Sequence, residues 1–328
     1  MKKGLVAAFL TLFMGSSLWA EASVFKISRQ YGLDTLPFIV INERKLIEKY
    51  AKEAGLGDVK VEYVTLTGGA ATNEALLSGS IHINYNGAAP FIRLWDKSKG
   101  KVKAISSAGK LSFDLVSSNP KVKSIKDLSD KDRIALPAAK VSIQSLILQI
   151  AAAREFGIKN YDKFDRLSVT LSSPDALVAL TSGKSEINAH FGNEPYTSVE
   201  LQSPNIHKIL GLSDVVSNDP STSFFSTTQE FYEKNPKLIR IFLKAINEAI
   251  TWVNNNQKEA VELYIKAEKT KESPELLLSI LQSGKIRFGL KPTGVTVFSD
   301  FLYETGAIKS KPAQKDLFFD AIFETDYK

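Results

Sequence analysis

Apolar positions fall into short β-like runs separated by longer stretches with helical spacing. Val24-Phe25-Lys26-Ile27-Ser28 and Val59 to Leu66 have strand character. Between them, Phe38 to Ala54 places Ile39, Ile41, Leu46, Ile47, Tyr50 and Ala54 at apolar positions and ends at Gly55, which predicts one helix. Thr72 to Leu77 reads as a short helix and Ile81 to Tyr85 as a strand. Ser142 to Phe156 is the strongest helical stretch: Ser142 is a candidate N-cap, Ile143, Leu146, Ile147, Ile150 and Ala151 share a face, and Gly157 is the stop. Strands alternating with helices predict an α/β protein with mostly parallel sheets.

The pattern repeats once. Ala75-Leu76-Leu77-Ser78-Gly79 recurs as Ala179-Leu180-Thr181-Ser182-Gly183, 104 residues later. Ile83-Asn84 matches Ile187-Asn188 at the same offset, and Pro90 and Pro195 follow within one residue of register. That offset is too long for a solenoid repeat. It suits two similar α/β lobes with a cleft between them, where ligands sit beyond the C-terminal ends of the strands. The turns to inspect are Tyr31 to Pro37, Thr65 to Thr72, Asn86 to Pro90, Pro137 to Ser142, and Ser172 to Asp175. Thr67-Gly68-Gly69 and Ser142 feed helix N-termini, whose exposed N–H groups and positive partial charge suit an anion.

Composition narrows the function. The 328 residues are 44% hydrophobic and 24% charged, ordinary for a globular chain of about two domains. There is no Cys, so a thiolate nucleophile, a zinc ribbon, an iron–sulfur cluster and a lipid-modified cysteine are all excluded within the sequence. Met1-Lys2-Lys3-Gly4, the apolar run Leu5 to Met14 and Ala20-Glu21-Ala22 together read as a secretory signal peptide, residues 1–22, cleaved after Ala20 or Ala22. The run is shorter than the ~20 residues of a spanning helix. Removing Lys2 and Lys3 takes the formal net charge from +6 to +4, a weak basis for binding nucleic acid. Lys97, Lys99, Lys101 and Lys103 read as a solvated turn. His82, His190 and His207 are the three histidines, none at ligand spacing from another, so no metal or other cofactor is expected. There is no G-x-S-x-G elbow, Walker loop or G-x-G-x-x-G after a strand, and an enzyme is not expected.

A resemblance emerges from the ordered marks Tyr31-Gly32-Leu33, Glu74 to Gly79 with Ile83, Asn86-Gly87-Ala88-Ala89-Pro90, Val122 to Leu128 leading to Arg133 to Pro137, Ala179 to Gly183, Glu194-Pro195-Tyr196, Asn235-Pro236-Lys237 and Gly306 to Lys309. In these the chain resembles the periplasmic substrate-binding proteins of ABC importers, nitrate/sulfonate/taurine type, from about Val24 to about Phe319. That group usually carries Asp where this chain has Asn84 and Asn188.

The resemblance implies the type II periplasmic-binding-protein fold. It would have a first lobe of residues 23–108 plus 211–328, a second of 109–210, and a ligand cleft between them. It implies a periplasmic monomer that closes on a small anionic or zwitterionic solute, such as a sulfonate, taurine or nitrate, and delivers it to a permease and its ATPase. By matched position, Tyr31 would cover the ligand, Thr67, Gly68 and Gly69 would donate hydrogen bonds, and Asn86 and Gly87 would form the floor. Ser142, His190 and Glu194 would approach from the second lobe. The alternatives are a ligand-binding sensor subunit and a metabolic enzyme on the same fold. Among such enzymes, the thiamine-pyrimidine precursor synthases depend on a Cys-rich motif that is absent here.

Overall fold

The computed structural model describes residues 21–217 and 219–319, so all but the last two residues of the expected signal peptide, 1–22, lie outside them. Strand β1 (Val24–Arg29) pairs in parallel with β2 (Lys60–Thr65). A parallel pair needs a crossover, supplied here by α1 (Leu36–Arg44) and α2 (Leu46–Glu53). The sequence predicted one helix over this stretch. The chain breaks it at Lys45, which takes a left-handed conformation with φ +49°. Every residue from Leu36 to Ile41 is buried, whereas α2 buries only Leu46, Ile47, Tyr50 and Ala51. The two halves therefore face different surroundings.

Helix α3 (Gly68–Leu77) leads to β3 (Asn84–Gly87), α4 (Ala88–Lys97) and the long β4 (Val102–Leu111). The chain passes through Ser112 directly into β5 (Phe113–Ser117). There follow β6 (Ile134–Leu136), α5 (Ile143–Phe156), β7 (Ser168–Thr170), α6 (Ser173–Ser182), β8 (Ala189–Asn193), α7 (Tyr196–Glu200) and β9 (His207–Gly211). These strands form one five-stranded sheet in the order β7-β6-β8-β5-β9. After α8 (Leu212–Val215) the chain returns as β10 (Ser223–Thr228), which completes a sheet of order β11-β4-β10-β3 with β11 (Ile286–Arg287). An Ile27–Ile83 bridge joins β1 and β2 to this layer.

The repeat noticed in the sequence is real in three dimensions. Helix α3, Gly79 and β3 match α6, Gly183 and β8, and both glycines take left-handed conformations, φ +74° and +64°. Such a helix stop favours glycine because a Cβ would clash there. The β7-β6-β8 arrangement and the β1–β2 pair are parallel, and helices supply the crossovers that such pairing needs. Strand β5 is antiparallel to β8 and β9, and β10 is antiparallel to β3 and β4. These are the strands next to the crossings between sheets. β5 in particular enters straight from β4 without a helix and is free of the parallel constraint.

The rest of the chain buttresses the first layer. α9 (Gln229–Lys234) and α10 (Pro236–Asn255) are followed by α11 (Gln257–Glu268), α12 (Pro274–Gln282) and α13 (Thr296–Glu304). Helix α10 buries a stripe from Leu238 to Val253 that includes Phe242, Ile246 and Ala249, which are at most 1% exposed. Each such Phe or Ile contributes about 1.5–3 kcal/mol of hydrophobic stabilisation. The start of α10 is held from far away in sequence. The Glu21 carboxylate accepts the N–H of Lys237 at 3.0 Å and that of Leu238 at 2.7 Å. Ala22 N–H donates to Asn235 Oδ1 at 2.8 Å. Anchored carboxylates suit a helix N-terminus, where the N–H groups lack partners and the dipole is positive.

Candidate functional site

The two sheets face each other across a cavity of about 600 Å³ of empty space, part of it open to solvent. From one side come Tyr31 in the loop after β1, Thr67, Gly68 and Gly69 at the start of α3, and Asn86 and Gly87 of β3, and from the other comes Ser142, the N-cap of α5, all at the cavity wall. Thus seven of the nine sequence-predicted site residues are brought together, from elements up to 111 residues apart.

Each has a local reason for its place. Thr67 is the N-cap of α3, but its side chain makes no capping bond, so the first N–H groups of that helix end are not satisfied by it. Gly68 has φ +72°, and a Cβ there would lie 2.5 Å from the carbonyl oxygen of Pro137 on the facing side. Only glycine allows that backbone approach. Asn86 donates through Nδ2 to Asn73 Oδ1 at 2.9 Å and to Gly69 O at 3.3 Å, while its Oδ1 accepts Gly87 N–H at 2.9 Å. Its side chain is spent on fixing the floor and the end of α3. Ser142 caps α5 as its position in the sequence suggested, accepting the Ser145 N–H at 3.2 Å.

His190 and Glu194 are placed elsewhere. His190 is fully buried, and its Nδ1 lies 2.7 Å from Glu200 Oε1 on α7. Side chains alternate along a strand. His190 therefore faces α7, whereas Asn193, three residues on, faces the cavity. Burial raises the Glu200 carboxyl above its usual range, opposed by His190. Glu194 is 2% exposed and meets Lys285 Nζ at 2.6 Å, away from the cavity wall. Its main role here is in the contact between the sheets. Its carbonyl accepts Leu33 N–H at 3.0 Å, and Lys285 also reaches Ser198 Oγ at 3.1 Å. Asn193 Nδ2 donates to Tyr31 O at 3.0 Å and Arg93 Nη1 to Val141 O at 3.1 Å, further bonds between the two sides.

The residue that sequence reasoning missed is Asp34. It lines the cavity at 8% exposure. The Tyr85 hydroxyl donates to its Oδ2, and Asn193 Nδ2 comes within 3.5 Å of its Oδ1. Burial pushes its pKa up to about 6, with the Tyr85 and Asn193 bonds pulling the other way. No Lys, Arg or His occurs among the described residues lining the cavity. The signal was present: Asp34 sits within the Tyr31 to Pro37 turn already marked for inspection. Its partners Tyr85 and Asn193 are 51 and 159 residues away, too far for a local pattern to reveal.

Similar proteins share this arrangement of two facing sheets. The alkanesulfonate-binding protein SsuA from Xanthomonas axonopodis pv. citri, bound to MOPS, matches with TM-score 0.72 at 16% identity, over 92% of this chain and 99% of that one. The periplasmic aliphatic sulphonate binding protein SsuA from Escherichia coli matches with TM-score 0.67 at 20% identity, over 92% and 93%. The fold is that of the periplasmic binding proteins. The periplasmic nitrate-binding protein NrtA from Synechocystis PCC 6803 shares it, with TM-score 0.65 at 14% identity over 93% and 86%. A family model described as NlpA lipoprotein matches residues 37–155, which run from α1 into the last turn of α5. No curated protein sequence matches the chain. The cavity around Asp34 and Gly68 lies between the two larger sheets of that fold.

Proposed function

We propose that the chain is an extracytoplasmic solute-binding protein that captures a small anionic or zwitterionic solute by lobe closure and delivers it to an ABC importer. The observation that carries this reading is the cleft itself: small and polar residues from both lobes, including the ends of α3 and α5, converge on one cavity. A concave site walled from both sides by polar side chains and backbone turns suits a small polar molecule. The sulfonate- and nitrate-binding proteins with this fold support the solute class. On this reading Tyr31 covers the ligand and Thr67, Gly68, Gly69, Asn86, Gly87 and Ser142 surround it. Export by the leader would place the protein in the periplasm, acting as a monomer beside a permease and ATPase on other chains.

The lobes in this proposal are residues 23–108 plus 211–328, and 109–210. Strand membership supports the division, with the crossings a little later, at Ser112 and after Gly211. A ligand touching both lobes favours closure only through the affinity it gains in the closed form. Small-angle scattering with a panel of sulfonates, taurine, nitrate and small carboxylates tests the proposal. At least one solute is expected to compact the protein and raise its Tm. Silence across the panel, with no solute retained on purification, overturns it. Uptake of the labelled solute in a deletion strain then tests delivery: unchanged uptake removes the importer from the account.

A further inference from the structure

We infer that the solute is a zwitterion whose cationic centre sits on Asp34, so that an anion without an amine is a poor ligand. The inference rests on the solute-binding reading above and narrows it. Asp34 is the acidic side chain at the wall of the cleft, at 8% exposure, and the described residues lining that cleft include no cationic side chain to neutralise it. Its hydrogen-bond donors are the Tyr85 hydroxyl, the Asn193 amide and its own backbone N–H, all neutral. A carboxylate offers about four acceptor sites, more than these donors fill. A buried carboxylate is costly unless it is paired. Nothing on the cleft wall supplies the pair, and a ligand ammonium is the group that would.

The position of Asp34 also ties the cation to closure. Asn193 belongs to β8 of the second lobe, whereas Asp34 and Tyr85 belong to the first. The carboxylate is therefore enclosed by both lobes only when they meet. A ligand cation held there gains its full attraction in the closed form, where water is excluded and the effective dielectric is low. The acid group of the same molecule would face the α3 and α5 ends, which line the rest of the cavity with Thr67, Gly68 and Ser142. A plain anion would meet those donors but would share the cleft with an unpaired carboxylate.

Matched pairs decide the point: taurine against ethanesulfonate, β-alanine against propionate, and γ-aminobutyrate against butyrate, titrated calorimetrically into the whole protein and into Asp34→Asn. In the unaltered protein at least one amine is expected to bind 30-fold or more tighter than its amine-free partner. Asp34→Asn is expected to cut that preference below about 3-fold. Equal binding of the partners, or a preference that survives in Asp34→Asn, overturns the inference while leaving the solute-binding reading intact. Mass spectrometry of any solute retained by the unaltered protein gives a second readout that needs no variant. A retained solute with a cationic nitrogen supports the inference, and one without it overturns it. If no compound binds and none is retained, the solute-binding reading itself falls.

Discussion

Asp34→Asn isolates the energetic weight of the buried carboxylate in the ligand-free protein. The Asp34 pKa rises from the usual 3.8 to about 6 in the fold. The folded state thus holds a proton on Asp34 that the unfolded chain has already lost between those two values. Stability falls as pH rises wherever the folded state binds more protons than the unfolded one. The contribution is therefore most favourable below pH 3.8, declines from there to about pH 6, and is level above it. Two pKa units correspond to about 3 kcal/mol at roughly 1.4 kcal/mol per unit. Asparagine keeps the shape and an acceptor for the Tyr85 hydroxyl but has nothing to titrate. The assay is urea unfolding of both proteins from pH 3.5 to 7.5. The unaltered protein's stability minus that of Asp34→Asn should drop by about 3 kcal/mol across the interval. Glu200 and Asp165, also raised by burial, change both proteins alike and cancel in the subtraction. Tyr85, whose hydroxyl is pushed up by burial and by Asp34, ionises far outside the window. Parallel curves for the two proteins would refute the reasoning, as would a difference that widens as pH rises.

Other substitutions test the remaining parts of the site. Gly68→Ala should strain a φ of +72° by about 1–2 kcal/mol and press a methyl group against Pro137 O. It should weaken solute binding at least 10-fold and leave the scattering profile open with ligand present; wild-type compaction would count against it. His190→Ala should leave the buried Glu200 without its hydrogen-bond partner and lower stability by about 1–3 kcal/mol. Affinity measured on the folded protein should stay within about 2-fold, and a large loss of affinity would return His190 to the ligand site. A chain starting at Ser23 should be about 1–2 kcal/mol less stable than one starting at Glu21, because it lacks the carboxylate at the start of α10. Equal melting temperatures would remove that role.

What the sequence revealed divides by the range of the interactions involved. Helix α5 was legible because its cap and its stop are local: Ser142 and Gly157 bracket it, one residue beyond each end. The repeat was legible for the same reason, through a glycine stop and the strand beyond it. The break between α1 and α2 was not. Lys45 carries no sequence signal for a left-handed residue, and burial of the whole run from Leu36 to Ile41 decides the geometry there. The site followed the same rule. Backbone turns at Thr67 to Gly69 and at Ser142 could be placed on the cleft from their helix-start chemistry. His190 could not be placed without the strand's register and the position of Glu200 on the next helix. Asp34 gains its meaning only when Tyr85 and Asn193 arrive from other strands.

The two asparagines that set this chain apart from its resemblance have one physical explanation. Asn84 Nδ2 donates to Asn73 Oδ1 at 3.0 Å, and Asn84 Oδ1 lies 3.4 Å from the Ser28 hydroxyl. At the matching place in the other lobe, Asn188 Nδ2 donates to Asp132 Oδ1 at 3.0 Å while its Oδ1 accepts Arg133 N–H at 2.9 Å. Each amide both donates and accepts, and Asn188 Nδ2 also reaches Lys131 O at 3.5 Å. An ionised aspartate can only accept, so it would lose the donated bond in both lobes. In the second lobe it would also set a carboxylate against Asp132, whose own charge is stabilised by bonds from Asn119, Ser129 and Asn188. In the first lobe, Asn73 Oδ1 serves Asn84 and Asn86 together, and Asn86 holds the floor of the cleft and the end of α3. The amide at Asn84 therefore belongs to the scaffold that aims the backbone at the cavity wall. That is how a departure at a strand start, outside the cleft wall, bears on the shape of the cleft.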